Sequence, residues 1–479
     1  MTASLSPRTL AAVVAAVLAS GCAVGPNFQR PEASAPGSFR GASAGEDRSL
    51  ADLAWWDLYR DERLNALLRA SLSKGFDARL AAARVGESRA IAAQVHGQRF
   101  PGLGYAANAD RGRNALLGNP FTQGGGSTSD GFDGYLGAAW ELDLWGRVRR
   151  LDEAARAQYL ATQEGRRAVL LSLVSEVATS YYELLELDEE LAIARQATES
   201  FGSSLKLFNR QLEGGTASRL DAASAEAAMA TSAARIPELE RQVAIKENQI
   251  SVLVGEVPGP VLRGARLAEQ ALPPEVPAGL PSALLERRPD IREAEYAAVA
   301  ANARIGVTIG GFLPRIGLSA ILGGVSSQLD SVTSRKAGLW SVGAQATGPL
   351  FQGGGLHGQY DQAEHEWEIA KLAYQQAALN AFADVANALV TRQKLALVRA
   401  EQERAVRAYQ EAVTLSTERY SAGKASYYEV IEAQLKLFPA QAALAQTTRD
   451  QFTSVVQLYK ALGGGWNLKD PEWSPADPR

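Results

Sequence analysis

The spacing of apolar positions changes at two proline residues, and it changes in the same way each time. Upstream of Pro101 and Pro314, alanine-rich stretches over about 77–98 and 290–312 have the apolar spacing of helices. A proline ends a helix because it has no backbone N–H to donate. We therefore predict a helix before each proline and a different structure after it.

Downstream of each proline the period becomes two. Leu136, Ala138 and Trp140 alternate with small or polar residues, and so do Trp340 and Val342. This alternation predicts strands with one apolar and one polar face. Their partners are predicted just upstream, near 102–112 and 315–324, with Gly- and Ser-rich loops over about 113–131 and 325–338. Strands of about ten residues fit a half-buried soluble sheet or a transmembrane barrel.

Long helical patterns follow each strand pair. They run from about 147 to 212 and from about 356 to 420, and they return over about 216–254 and 424–462. Each run is too long to bury itself in a domain of ordinary size, so it predicts an antiparallel helical hairpin with a solvated face. Pro237 and Pro439 lie inside the return helices, where a proline bends a helix.

The same order of helix, strand pair and helical hairpin is therefore predicted twice along the chain. The turns of the two helical hairpins contain Gly215 and Gly423, which are about 208 positions apart. The division predicted from this repeat lists 22–76 as an N-terminal segment, 77–255 as repeat 1 with its strand pair over 102–145, 256–289 as a connector, 290–464 as repeat 2 with its strand pair over 315–350, and 465–479 as a tail.

The N-terminus has the pattern of a signal peptide over residues 1–21. An apolar run from Leu10 to Ala19 is too short to span a bilayer, and small residues lead directly to Cys22. Cys22 is the single cysteine of the chain, so it has no partner for an internal disulfide. This segment resembles a bacterial lipoprotein signal, which implies an N-palmitoyl group and an S-diacylglycerol group on Cys22 and sorting to the outer membrane.

Composition narrows the classes of function. The 479 residues carry a net charge of −4, which does not favour a nucleic-acid partner. His357 and His365 lack the cysteines or carboxylates of a metal cluster, and no Lys-Ser or Lys-Thr follows the Gly-Gly-Gly runs at 353–355 and 463–465 as in a phosphate loop. We therefore predict no catalytic residue, no metal and no cofactor beyond the lipid on Cys22.

Closure of the sheet requires more than one chain. Two strand pairs give four strands, and an open sheet in lipid would leave its edge backbone groups without hydrogen bonds. A dimer would give eight strands, whose side chains fill the interior, whereas three chains would leave a lumen. A pore therefore requires at least three copies.

Several motifs, taken together and in this order, resemble the TolC-like outer-membrane factors, in the lipoprotein branch that serves tripartite efflux pumps. They are Cys22 with 25–31, Trp55-Trp56 with Asp61 and Leu64, the run 140–146, the run 285–291, 348–351 and 460–466. The resemblance implies a mainly α-helical homotrimer with a twelve-stranded outer-membrane barrel and a twelve-helix periplasmic tunnel. It also implies a mixed belt built from about 42–76, 256–288 and the tail.

The resemblance also implies a gate where the helical hairpins turn. Tyr420 matches a hydrogen-bonding tyrosine and Tyr428 a bulky position that narrows the bore. Glu432 matches a ring carboxylate, and Glu429 lies one turn earlier on the same helical face. The remaining gate positions are Asp221, as a partner from the first hairpin, and Ser421. Three copies of Glu432 would repel one another and attract cations.

The function implied is a passive exit duct, anchored in the outer membrane and extending into the periplasm. A periplasmic membrane-fusion adaptor would dock on the turns at Gly215, Thr216, Gly423 and Lys424. An inner-membrane pump, expected to be of the RND type, would supply the energy, and small molecules such as drugs, toxic compounds or metal ions would be the cargo. Two alternatives stay open: the outer-membrane channel of type I protein secretion, and a structural periplasmic lipoprotein that forms no channel.

Overall fold

The structure is a computed structural model, and the description below covers residues 23–33, 35–40, 61–113, 128–216, 218–272 and 281–464. The helices are α1 (Glu62–Lys74), α2 (Phe76–Gly97), α3 (Arg147–Glu213), α4 (Arg219–Val254), α5 (Pro281–Arg287), α6 (Pro289–Gly311), α7 (Gly355–Ser421) and α8 (Tyr427–Ala461). The strands are β1 (Gly102–Arg113), β2 (Thr128–Leu142), β3 (Arg315–Ser326) and β4 (Gly338–Thr347).

The predicted order of helix, strand pair and long helical hairpin is confirmed in both halves of the chain. The helices α3 and α7 each have 67 residues, and the return helices α4 and α8 have 36 and 35. Both return helices continue through their internal prolines, Pro237 and Pro439. Both also begin a few residues later than the pattern predicts, because Ser218 and Ser426 cap them. Strand β2 starts within the predicted loop, at Thr128.

The four strands form one antiparallel sheet in the order β1-β2-β3-β4. Its register places Tyr105, Leu136, Leu322 and Trp340 in one row across the sheet. The neighbouring row on the same face contains Leu103, Ala138, Ala320 and Val342. The predicted alternation is therefore confirmed, and one face of the sheet is apolar.

The described chain forms two compact units, and neither coincides with a repeat. One unit contains residues up to Pro31, Val85–Thr162 and Ala294–Tyr374, which includes the sheet; the other contains Glu32–Arg84, Gln163–Glu293 and the residues from Gln375. Each unit takes residues from both halves of the chain, so the repeat is a unit of sequence rather than of compact structure. The division of the sequence at 77, 256 and 290 stays a prediction.

In the unit that contains the sheet, the junction of β2 with α3 is fixed by local contacts. Asp143 accepts hydrogen bonds from the backbone N–H groups of Val148 and Arg149, both at 2.9 Å, and so satisfies the first turn of α3. Arg147 forms a bidentate ion pair with Glu141. Gly146 has φ +77°, and a Cβ there would lie 2.5 Å from the Cα of Ala23. The run 140–146 is therefore a structural corner.

The N-terminal segment is anchored at this corner. The backbone N–H of Val24 donates to the carbonyl oxygen of Trp145 at 2.9 Å. Arg150, which is buried, donates to the Gly25 carbonyl oxygen and to Asn27 Oδ1. Cys22 itself, Trp55-Trp56 and the tail lie outside the described residues.

In the second unit, the run 285–291 also forms a structural contact. The buried guanidinium of Arg288 donates to Asp290 and Asp384 at 2.6–2.9 Å and to the carbonyl oxygen of Ala461 at 3.2 Å. Although burial opposes the charge, the hydrogen bonds that Arg288 donates to Asp290 and Asp384 leave its pKa raised. One side chain thus joins α6, α7 and the end of α8.

Helix α3 is the one described helix that could cross a membrane by length and composition. In its most apolar stretch, 67% of the residues are buried within the protein, as in a core helix of a soluble protein. Tyr181, Tyr182 and Leu184 are among the largest fully buried side chains of the structure and lie on this helix. The apolar character of α3 is thus accounted for by packing.

Candidate functional site: the two helical turns

The two turns of the helical hairpins share one backbone geometry. In the first, the N–H of Thr216 donates to the Gln211 carbonyl oxygen at 2.8 Å and that of Gly215 to Leu212 at 3.0 Å. In the second, Lys424 donates to Arg419 at 2.9 Å and Gly423 to Tyr420 at 2.8 Å. These are the two hydrogen bonds of a Schellman motif.

A left-handed glycine makes both motifs possible. Gly215 has φ +72° and Gly423 has φ +71°. Only glycine adopts this conformation without steric cost from a Cβ. A helix cap then follows at the same distance in each copy, since Ser218 accepts from Asp221 N and Ser426 accepts from Tyr428 N. The sequence predicts that the two turns are equivalent, and their backbone geometry in the structure is indeed the same.

Tyr420 joins the two hairpins. Its hydroxyl oxygen accepts a hydrogen bond from Gln211 Nε2 at 2.6 Å, which connects the end of α7 with the end of α3. Its ring lies edge-on to Tyr427, with 4.8 Å between the ring centroids. The hydroxyl of Tyr427 in turn shares a hydrogen bond of 2.8 Å with Ser204. We call Gln211, Tyr420, Tyr427 and Ser204 the latch.

An apolar cluster lies next to the latch and fixes its aromatic rings. Tyr427 packs edge-on against Phe208 at 5.1 Å, and Phe438 packs edge-on against Phe201 at 5.7 Å. Small residues of α4 complete the cluster: Ala222, Ala225 and Ala228. The small alanine side chains let α4 approach α3 and α8 closely. The aromatic residues of α3 and α8 then fill the space between these three helices.

The other predicted gate residues are more loosely held. The Glu432 carboxylate accepts from Lys436 Nζ at 2.8 Å, one turn along α8, and this hydrogen bond raises the pKa of Lys436. Glu429 lies 3.5 Å from Arg419 Nε. Tyr428 is 59% exposed. Ser421 donates to the Glu418 carbonyl oxygen at 2.8 Å within its own helix.

Asp221 is used within its own turn. It accepts from the backbone N–H of Ser218 at 3.1 Å and from Ser218 Oγ at 2.7 Å, which forms a capping box at the start of α4. The sequence already carries this signal as Ser218-x-x-Asp221. In this chain the partner of Tyr420 is Gln211, which no sequence motif indicates because the two residues are distant in sequence.

Histidine positions give no metal cluster among the described residues, where no three His, Cys, Asp or Glu side chains converge. The ring of His357 instead lies edge-on to Phe312 at 5.4 Å. His96 lies 3.2 Å from Asp152 Oδ2, which also binds Arg99.

Comparison with known proteins shows to which family the chain belongs. The sequence model of the outer membrane efflux protein matches residues 67–256 and 280–464, which is most of the chain and both repeats. The chain belongs to this family of outer membrane efflux proteins. The two matched ranges each contain one strand pair and one helical hairpin, so the predicted resemblance to TolC-like channels is confirmed.

Individual members of the outer membrane efflux protein family are similar over nearly the whole length. The solvent efflux pump outer membrane protein SrpC of Pseudomonas putida is 35% identical, over 95% of this chain and 97% of its own. The cation efflux system protein CusC of Escherichia coli is 31% identical, over 96% of this chain and 100% of its own. The solved outer-membrane channel OprN superposes with a TM-score of 0.86 at 30% identity, covering 93% of this chain and 100% of its own.

Proposed function

We propose that this chain is one of three identical subunits of a passive exit duct in the outer membrane. The duct carries out no reaction. It receives small molecules from an inner-membrane pump through a periplasmic adaptor and releases them outside. Membership of the outer membrane efflux protein family supports the location and the role in efflux.

One observation carries this proposal. The most exposed apolar side chains of the four-stranded sheet lie on one face, with Leu103 85%, Tyr105 87% and Trp340 75% exposed. Within the described residues, the outer edges of β1 and β4 have no strand beside them. A sheet with an apolar face and open edges is stable in lipid only when other chains close it. Three copies would give twelve strands and leave a lumen.

The same face argues against a structural lipoprotein that forms no channel. A periplasmic spacer would expose these apolar rows to water, at a cost of about 25 cal/mol for each Å². The names of the relatives include a solvent efflux pump and a cation efflux system. Those names favour small-molecule cargo over type I protein secretion, and they differ enough to indicate that the pump selects the cargo.

The latch supports a gate at the helical turns. Its hydrogen bonds connect α3 with α7 and α8, so they oppose separation of the two helical hairpins. In the trimer, three copies of Glu432 and Glu429 would line the constriction that Tyr428 narrows. An adaptor that binds the turns at Gly215, Thr216, Gly423 and Lys424 would shift the helices toward an open arrangement. Asp221 and Ser421 would then contribute by fixing the ends of α4 and α7.

The anchor of the N-terminal segment supports lipidation of Cys22. Ala23 and Val24 lie against the corner at Trp145 and Gly146, directly after the membrane strand β2. Acyl chains on the preceding cysteine would therefore start at the edge of the bilayer. Mass spectrometry of the mature protein would show the added acyl groups, and their absence from the wild-type protein would contradict this assignment.

Planar-bilayer recording tests the duct. The purified wild-type protein should give uniform single-channel steps, and Glu432→Ala combined with Tyr420→Phe should raise the conductance because the carboxylate ring and the latch are both weakened. Unchanged conductance in an intact trimer would remove the gate assignment. Absence of both conductance and a heat-labile oligomer would favour the spacer.

A further inference from the structure

Two carboxyl groups are buried together where α3 meets α8. Glu186 and Glu190 lie one turn apart on α3, and each is only 7% exposed. Their spacing of four residues places the two carboxyl groups next to each other on one face of the helix. Two ionised carboxylates on neighbouring positions repel each other, and burial keeps water away from both, so this arrangement favours a proton on one of them.

The contacts around the pair connect three helices. Gln446 Nε2 of α8 donates to Glu190 Oε1 at 2.7 Å, and Arg235 of α4 lies 3.5 Å from Glu190 Oε2. One turn away, the rings of Tyr182 and Phe452 stack with centroids 4.7 Å apart. The interface between α3 and α8 is thus apolar on one side of the carboxyl pair and polar on the other side.

The charged groups that face the pair neutralise it only in part, because Arg235 pairs with Glu190 alone. Arg449 also contacts Glu183 at 3.7 Å and Asp450 at 2.9 Å, so its charge is shared. Lys246 of α4 is occupied by Glu183 at 2.7 Å. The set of facing groups is Glu183 on α3, Arg235 and Lys246 on α4, and Gln446, Arg449 and Asp450 on α8.

We propose that Glu186 and Glu190 form a proton-dependent fastener between α3 and α8, which is closed while the two carboxyl groups share one proton and weakened when both are ionised. The consequence for transport rests on the proposed function, because α8 carries Glu429 and Glu432 toward the turns. The fastener itself concerns only the packing of two helices within one chain.

The direction of the pH dependence follows from burial. Burial, together with repulsion by Glu190 and partly offset by Arg449, raises the pKa of Glu186 to about 7. A carboxyl group whose pKa is higher in the folded protein stabilises the fold fully below its unfolded pKa. That contribution is lost as the pH rises through the folded value. The contact between α3 and α8 should therefore be tightest below the ordinary pKa of 4.5, loosen as the pH rises to about 7, and stay loose above that value.

Proton exchange has a route to the pair. A groove of about 410 Å³ runs between α3, α4 and α8, and its lining includes Glu190, Arg235 and Gln446. The remaining lining is mostly apolar, including Phe201 and Phe438. The pair is therefore dry enough to have a raised pKa and still close to a solvent-connected space.

Infrared titration of the full-length protein in detergent tests the fastener directly. The wild-type protein should show the carbonyl stretch of a protonated carboxyl group that disappears with a midpoint near pH 7. Glu186→Gln should remove this signal. Glu199→Gln is the matched control, since Glu199 is an exposed residue on the same helix, and it should keep the signal. Persistence of the signal in Glu186→Gln would overturn the proposal.

Amide hydrogen exchange gives a second measurement on the wild-type protein itself. After correction for the intrinsic rate, protection over residues 441–452 of α8 should fall by about tenfold between about pH 6 and about pH 8. Protection that stays constant would overturn the proposal. If Glu186→Gln does not assemble, Glu190→Gln replaces it and should move the infrared midpoint to lower pH, and an unmoved midpoint counts against the pair. Neither readout requires a conducting pore, so failure of the duct would be seen separately.

Discussion

Individual side chains in this protein act mainly by joining helices that are distant in sequence. Tyr181 is fully buried, and its hydroxyl donates to Asp61 Oδ2 at 2.8 Å and accepts from the Gly264 backbone N–H at 2.9 Å. Asp61 also accepts from Gln270 Nε2 at 2.7 Å. Burial together with the Asp61 carboxylate raises the pKa of Tyr181, so the hydroxyl keeps its proton and stays a donor.

Removal of this hydroxyl should therefore be costly. Tyr181→Phe leaves the Asp61 carboxylate short of one donor in a buried site and should lower the free energy of unfolding by about 1–3 kcal/mol. Tyr409→Phe, at a partly exposed tyrosine of α7, is the control and should change little. Thermal unfolding of the detergent-solubilised protein measures both, and equal midpoints for the two variants would contradict this account of Tyr181.

The latch makes a prediction about gating. Tyr420→Phe removes the acceptor for Gln211 while keeping the ring that packs on Tyr427. Loss of about 1 kcal/mol of hydrogen bonding favours separation of the turns by about fivefold in each chain, so the open probability of the trimer should rise by at least about fivefold. Tyr409→Phe again serves as the control in bilayer recordings. An open probability equal to that of the wild-type protein would show that the latch does not hold the turns.

Sequence reasoning located Tyr420 but not its partner. A hydrogen bond between α3 and α7 leaves no periodic signal, because Gln211 could face any neighbour until the helices are packed. The capping box of Asp221 is a local pattern and was readable from Ser218. The burial of the Glu186–Glu190 pair was not predicted from the sequence either. Glutamates one turn apart on a helix are usually solvated, and only the packing of the helices shows that these two are buried.

Among the elements, the repeated turns depend on backbone conformation more than on contacts. No atom lies within 4 Å of a Cβ placed on Gly215 or Gly423, so their positive φ angles alone require glycine. Gly214, immediately before Gly215, is not among the described glycines that have a positive φ angle.

This difference gives a matched pair of variants. Gly215→Ala should destabilise the turn by about 1–2 kcal/mol, because an L-residue in the left-handed region is strained. Gly214→Ala should cost less or stabilise the helix end, since alanine favours a helix. Amide exchange at 210–216 measures the local opening, and equal protection in the two variants would contradict the assigned conformation.

The order of helices and strands was predictable from periodicity, because the change from helical spacing to alternation is strong at each proline. The register of the sheet was less constrained by sequence. Alternation assigns each residue to a face, but pairing such as Leu136 with Leu322 depends on how the two repeats meet. The compact units were not predictable, since they combine segments from both repeats.

At the scale of the whole molecule, the central claim is that three chains close one sheet. The apolar rows of the sheet and its open edges support this claim, and the match to the outer membrane efflux protein family gives its setting. Closure requires β1 of one subunit to lie beside β4 of the next. In a ring of three chains each contact is head-to-tail, so the two different free edges of the order β1-β2-β3-β4 must meet.

Cysteine cross-linking in native outer membranes tests this arrangement most directly. Single cysteines scanned along β1 (from Leu103 to Ala109) and combined with cysteines along β4 (from Leu339 to Gln345) should form disulfides between subunits at one register, giving a covalent trimer. Pairs across β2 and β3, such as Gly137 with Ile321, are neighbours within one chain and should give monomers only. The parent protein controls for Cys22. A three-rung ladder from β1–β4 pairs alone is the predicted result, whereas monomers at every register would contradict closure by three chains.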